Sequence, residues 1–284
     1  MTQLINAIFL GGLYAAVSLG LTLVFGVMRL VNLAHGEILI GGGYLALFFS
    51  GHLGLDPLVS LVLVVPALML IAYPVQRLLL NPLMAHGAEP PLVATFGLSI
   101  IAQTLFLLAY TSNDRSLSAS YGLTGVNILG TDVRAVLVIA FVGAIVLVAA
   151  THLALTRLRF GMALRAAAED PEAAVSLGID VKHVYALTFA IGAAVTAFGS
   201  VLIGVAFSLT PTAGLTWLLR AFTVIVLGGM GSIVGTLAGG MMIAFAEQYG
   251  ALAFGPQYRD LIVFSLLVIV LVIRPQGLLG KKLA

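Results

Sequence analysis

The sequence contains no cysteine, which excludes disulfides, thiolate metal sites and cysteine nucleophiles. Charge is scarce as well: Asp, Glu, Lys and Arg make up 8% of the 284 residues, against roughly 25% in a soluble globular domain. Lysine occurs only at Lys182, Lys281 and Lys282, and none stands in a G-x-x-x-x-G-K-[ST] loop, so ATP binding by a P-loop is excluded. Neither H-E-x-x-H nor G-x-S-x-G occurs, and polar residues are too few to assemble a nucleophile, a base and an oxyanion hole. No catalytic residue, metal site or cofactor is therefore expected, and the chain does not read as an enzyme. Gly229-Met230-Gly231 is a fragment of a dinucleotide fingerprint, but it lies in an apolar run with no strand before it. The net charge of +2 and the pI near 9.0 rest on 13 basic and 11 acidic residues, so nucleic acid is not an expected partner.

What the chain has is apolar sequence: 61% hydrophobic residues and a mean hydropathy of +1.16. It reads as an all-α, polytopic integral membrane protein in contact with lipid, one transmembrane domain over residues 1–284. Apolar runs cover about Leu4 to Met28, Ile38 to Phe49, Leu58 to Leu80, Leu92 to Tyr110, Ala135 to Leu155, Val184 to Leu209, Trp217 to Tyr249 and Leu261 to Ile273. Full-length runs reach the ~20 residues that cross hydrocarbon at 1.5 Å per residue. Lipid offers the backbone no hydrogen bonds, so such runs are helices, about eight membrane segments with broken or re-entrant pieces among them. The runs do not alternate as barrel strands do. No Lys or Arg precedes the first run, which is longer than a signal-peptide core and reads as a retained span.

Charge gathers in one place, the connector Thr156 to His183. If it is cytoplasmic, alternation puts Arg29, Arg77, Arg157, Arg159, Arg165, Lys182, Arg274, Lys281 and Lys282 on its side and Arg115, Arg134, Arg220 and Arg259 on the other, as positive-inside bias requires. Five spans precede the connector and the N-terminus lies outside. An odd number of crossings is expected after Val184, with Trp217 to Tyr249 too long for one straight span and broken at Gly228-Gly229-Met230-Gly231. That stretch is expected to enter and return on the outer side, a half-helix followed by a tilted helix. Within the connector, Asp170 reads as an N-cap, Pro171 as the first helical residue, Glu172 as a partner for the positive helix end and Gly178 as the stop. A helix of roughly two turns cannot span a bilayer; it serves either as a knob for a partner's groove or as a solvated connector.

Asn32, His35, Gly36 and Glu37 form a polar break at the start of the second run, with Gly41-Gly42-Gly43 as a further interruption. Ionisable groups at depth cost about 2.5–3.5 kcal/mol, so they face a cavity or a partner. The break, together with Gly228, Gly229 and Gly231, is a candidate for the lining of a translocation path. Alternatively, Asn32, His35 and Glu37 cap the broken backbone and bond one another near the cytoplasmic interface. Gly12, Ala16 and Gly20, and Gly231, Gly235 and Gly239, lie at four-residue spacing, which lets another backbone approach, within the chain or at a subunit seam. An early and a late Gly-rich broken helix make a faint internal echo of the kind seen in repeat-built transporters. Glu247, Arg259, Asp260, Trp217, Tyr249 and Tyr258 read as interfacial.

Four stretches carry a resemblance: Gly12 to Glu37, Phe160 to Asp180, Ala221 to Gly240 and the ending Arg274 to Gly280. Together they resemble the LivH-type permease subunits of branched-chain amino acid ABC importers nearly end to end. The resemblance implies a translocation path for branched-chain amino acids, formed with a second, LivM-like permease in a bacterial inner membrane. It further implies two cytoplasmic ATPases and an extracytoplasmic binding protein as partners. The coupling contact to an ATPase would then fall on Arg165, Glu169, Asp170, Pro171, Glu172, Ala173 and Gly178. Permeases resembling this one also serve urea, short amides and other small polar solutes. From a different class, a self-sufficient channel or ion-coupled carrier using Glu37 and His35 is the competing reading.

Overall fold

A computed structural model describes residues 2–274 and Gly277. Lys281, Lys282 and most of the Arg274 to Gly280 ending lie outside the described residues. In chain order the helices are α1 (Thr2–Met28), α2 (His35–Leu53), α3 (Leu61–Pro74), α4 (Asn81–Met84), α5 (Glu89–Tyr110) and α6 (Ser120–Leu123). A hairpin follows, β1 (Gly125–Ile128) and β2 (Thr131–Arg134), then α7 (Ala135–Arg157), α8 (Arg159–Glu169), α9 (Pro171–Ser176), α10 (Val181–Ala206), α11 (Gly214–Gly228), α12 (Ile233–Phe254) and α13 (Arg259–Ile273). A turn of π-helix, Val75–Leu80, joins α3 to α4 behind Pro74, whose ring cannot continue the α ladder.

Six of the described segments are long and apolar enough to cross a membrane, and α11 and α12 pass the same test only together, as a pair bent by 114°. Helix α2 completes the bundle, although its glycines, His35 and Glu37 lower its apolarity. Hydroxyl groups on the spans are satisfied locally: Ser18, Thr22, Thr188, Thr196, Ser200 and Thr223 each donate to the carbonyl four residues back. In hydrocarbon that bond replaces the water these hydroxyls would otherwise require.

Packing reveals an inverted repeat. Helix α1 packs on α12 as α10 packs on α3, α1 meets α11 as α10 meets α2, and α11 contacts α13 as α2 contacts α5. Each repeat opens with a long helix, after which the chain doubles back (residues 29–34 and 207–213) and starts a half-helix part-way up the bundle. The His35 Nε2–H donates to the Val17 carbonyl at 3.1 Å, and Val17 lies near the middle of α1, so α2 starts at mid-depth. Helix α11 starts there too, because the Gly214 backbone lies against Gly36. Naming the connector's end of the bundle inner and the opposite end outer, α2 runs from this junction toward the outer end, passing Ser200 at Gly42 and Leu209 at Gly43, while α11 runs toward the inner end. At the inner end the chain bends by 114° and α12 returns outward.

Two expectations change here. Trp217 to Tyr249 folds as a half-helix and a returning helix bent by 114°, which brings the chain back to the end of the bundle where α10 finishes, so α10 and α13 are the full crossings after the connector. That number is even, not odd, and it is what keeps the connector and the end of α13 on one side. The Gly41-Gly42-Gly43 run does not interrupt α2, which is continuous through it; these glycines admit Phe106, Ser200 and Leu209.

The core lies where the repeats cross. Gly12 faces Phe141 of α7, Ala16 is buried beside Ala144, and Gly20 faces Gly192 and Thr196 of α10. Gly235 and Gly239 pack against Gly228. Thr22 and Thr236 share a hydrogen bond of 2.7 Å across α1 and α12. Both small-residue rows therefore face helices of the same chain. The hairpin at the outer end, with Leu129 and Gly130 at positive φ in its turn, has no counterpart in the apolar-run pattern.

Candidate functional site

Two half-helix N-termini meet in the middle of the bundle, so closely that Gly36 has no room for a side chain. A Cβ on Gly36 would strike the Gly214 carbonyl, and one on Gly214 would strike the Glu37 carboxylate. The Asn32 Oδ1 accepts from the Ala34 N–H at 3.0 Å, closing the turn that leads into α2. Leu33 N–H donates to the Thr95 hydroxyl at 3.3 Å. Glu37 sits in the first turn of α2, where the exposed N–H groups and the helix dipole favour an anion.

Glu37 is 4% exposed. Its Oε1 accepts from the Ser99 hydroxyl at 3.3 Å, while Oε2 is buried with no partner among the described residues. A cavity of about 350 Å³ opens beside it between α2, α3, α5 and α10, walled by Asn32, Leu68, Ala72, Leu98 and Phe106 among others. The wall is almost entirely apolar, so Glu37 is its one carboxylate.

The residues predicted from the sequence divide in space. Asn32, Gly36 and Glu37 share the junction, and Asn32 and Glu37 line the cavity. His35 points the other way, onto α1. Asn32, His35 and Glu37 do not bond one another, and they lie at mid-depth of the bundle, away from the connector's end. Gly228, Gly229 and Gly231 sit elsewhere, at the inner turn, where Gly231 abuts Gly26 of α1 and Gly229 abuts Gly277. The break that mirrors Asn32 to Glu37 is residues 207–213 ahead of Gly214.

A second polar group was missed. Tyr14 donates to Glu247, and Arg220 donates to the Tyr14 hydroxyl at 3.3 Å and to Asp260. Glu247 is 4% exposed and Trp217 is buried against Tyr14 and Phe207, so neither belongs to an interfacial belt. This cluster ties α1, α11, α12 and α13 together. No sequence signal announces it, because its members are up to 233 residues apart.

At the inner end, the connector is two helices lying under the bundle. Helix α8 was not expected; its Leu164 and Ala167 are buried, and Arg165 donates to the Leu155 carbonyl at the end of α7. Arg165 and Glu169 thus belong to α8, and the helix after them is the short α9. Asp170 caps it, accepting from Glu172 and Ala173 N–H at 3.0 Å each, with Pro171 at its start and Gly178 at φ +83° beyond its end. Val175 and Leu177 remain exposed, Leu177 by 80%. The connector is braced to the bundle by Arg77–Asp180 at 3.3 Å and by Asn81 donating to the Lys182 carbonyl at 2.8 Å.

A family profile described as the branched-chain amino acid transport system permease component matches residues 3–271. The chain is 34% identical to the high-affinity branched-chain amino acid transport system permease protein BraD of Pseudomonas aeruginosa, over 99% of this chain and 96% of that one. It is 33% identical to the permease protein LivH of the Escherichia coli K12 high-affinity branched-chain amino acid system, with the same coverage. Among solved structures, PsaBC from Streptococcus pneumoniae in complex with Fab is similar in fold, with a TM-score of 0.50 and 15% identity over 97% of this chain and 91% of that one. A polytopic helical bundle matched along almost its whole length by this profile and these relatives is a transport permease: the chain belongs to the permease component family of branched-chain amino acid transport systems.

Proposed function

We propose that this chain is the membrane permease subunit of an ABC importer for branched-chain amino acids, working with separate ATPase and substrate-binding subunits. The observation that carries the reading is the full-length family match over residues 3–271. Two further facts support it. The chain has no nucleotide-binding motif of its own, and its inner end carries a capped helix, α9, with Val175 and Leu177 exposed.

In this reading α9, with Asp170, Pro171, Glu172, Ala173 and Gly178, seats on a cytoplasmic ATPase together with the exposed Glu169 at the end of α8, while Arg165 and the buried Leu164 and Ala167 hold α8 under the bundle. Closure of the ATPases would push on α8 and α9. The push would reach α7 through the Arg165–Leu155 bond and α3 and α10 through Arg77, Asp180 and Asn81. The half-helices that meet at Gly36 and Gly214 lie between the moving helices, and the path is proposed to run beside them, with Asn32, Gly36 and Glu37 on its wall. His35 faces α1 and helps hold the junction. Gly228, Gly229 and Gly231 form the inner hinge between α11 and α12. The second permease is a LivM-like partner, and the membrane is the bacterial inner membrane.

Affinity purification of the tagged chain from its own membrane tests this: two ATPases should come with it, and leucine uptake should stop when ATP hydrolysis is blocked. Recovery without any ATPase, with uptake intact under the block, would overturn it.

A further inference from the structure

Glu37 is the residue the fold leaves unfinished. Buried charges are normally paired, and removing or omitting a partner at such a site costs several kcal/mol. Yet Glu37 makes no salt bridge among the described residues, and one of its two oxygens meets no donor. It is not used as a cap, since Asn32 closes the turn ahead of α2 and no backbone N–H is bonded to the Glu37 carboxylate. It does not belong to a metal site, because no group of three His, Asp or Glu converges among the described residues.

The repeat sharpens the point. The corresponding space in the second half, bounded by α11, α12, α13 and α1, is filled from within: Arg220 supplies a cation beside Tyr14, Glu247 and Asp260. In the first half the carboxylate is present, the cation is missing and a cavity of about 350 Å³ stands in its place. Its size is at the small end of the range for ligand pockets, and its remaining wall is aliphatic and aromatic.

We propose that the cavity beside Glu37 binds the ammonium group of an aliphatic amino acid on Glu37 and its branched side chain against Leu68, Ala72, Leu98 and Phe106. The choice of ligand rests on the permease reading above. Ser99 holds one oxygen of Glu37 in place; the other, now buried against Gly214, takes the ammonium once the side chain turns toward the cavity. Asn32, on the same wall, is the neutral polar group available to the ligand carboxylate.

The absence of native cysteine makes a clean test possible. In the assembled complex in membrane vesicles, Ala102→Cys or Leu98→Cys puts a single thiol on the cavity wall, and methyl methanethiosulfonate labels it. Leucine and isopentylamine, which keeps the ammonium and the branched chain, should each slow labelling about tenfold at concentrations well above their dissociation constants, by mass action. Isocaproate, which lacks the ammonium, should not, and Glu37→Gln should abolish the protection. Labelling unaffected by leucine and the amine, protection by isocaproate equal to theirs, or protection that survives in Glu37→Gln would each overturn the site. Should neither thiol react, uptake decides: Glu37→Gln transporting leucine at the wild-type rate overturns it, and a loss of about tenfold with ATPase stimulation retained supports it. A wild-type complex that moves no branched-chain amino acid would instead contradict the permease reading.

Discussion

Single residues carry the mid-depth junction. A methyl group on Gly36 would meet the Gly214 backbone and must push α2 and α11 apart, whereas one on Gly214 would meet the Glu37 carboxylate, a side chain that can move. Overpacking of this kind typically costs 1–3 kcal/mol, or about that here. Gly36→Ala should therefore lower the thermal stability of the purified complex, whereas Gly51→Ala, whose added methyl meets nothing within 4 Å of a helical backbone, should hold or slightly raise it. Equal melting of the two variants would contradict the close approach. Asp180, outside the spans, is a second case. The His183 N–H first, and then Arg77, hold its carboxyl below the usual carboxylate range. A depressed group contributes stability above its unfolded value and loses it as pH falls through the folded one. The His183 amide should thus lose hydrogen-exchange protection only below about pH 4, the ordinary range of an aspartate; loss near neutrality would show that another group controls that bond. Glu37 and His35 were legible as oddities because an ionisable group in an apolar run has few reasons to be there. Their partners were not legible: Ser99 and Val17 are brought to them by tertiary packing alone.

At the scale of elements, the sequence read best where chemistry is local. Asp170-Pro171-Glu172 and Gly178 mark the ends of α9 within nine residues, and the fold has the cap there. Asp170→Ala removes an acceptor for two N–H groups, at a cost of about 1 kcal/mol to that helix. In the proposed complex this variant should insert normally but show weakened coupling, read as uptake per ATP hydrolysed. Leu177→Glu, on the exposed apolar surface, should reduce recovery of the ATPases without affecting membrane abundance. Wild-type coupling and recovery in both would move the docking contact away from α9. Helix α8 escaped notice because its pattern, apolar on one side and charged on the other, is too short to read as a span and too polar to read as core. The hairpin escaped because four-residue strands leave almost no alternation to count.

The whole molecule is an inverted repeat of a long helix, a return segment and a half-helix, and only part of that was visible in the chain. Hydropathy locates the spans because lipid forces every backbone group into helices. It cannot locate a chain that doubles back inside the bundle, since Ser208, Thr210, Pro211 and Thr212 read as an ordinary loop. The late glycine cluster drew the eye to Gly228, whereas the half-helix that mirrors α2 starts at Gly214. The odd number of crossings expected after the connector does not fit a connector and a chain end on one side, which require an even number; a segment that returns to its own side adds none or two and leaves that parity unchanged. The mirror arrangement also divides labour between the halves, one closed by Arg220 and Glu247 and one left open beside Glu37.

The central claim is that the bundle has no energy source of its own and moves solute only when ATPases work it from the inner end. Reconstitution into vesicles with and without those subunits, with leucine accumulation as the readout, measures this most directly. The chain should accumulate leucine only with the ATPases, the binding protein and ATP present. Accumulation by the chain alone, driven by a proton or sodium gradient, would contradict the claim and make Glu37 the coupling carboxylate of a carrier.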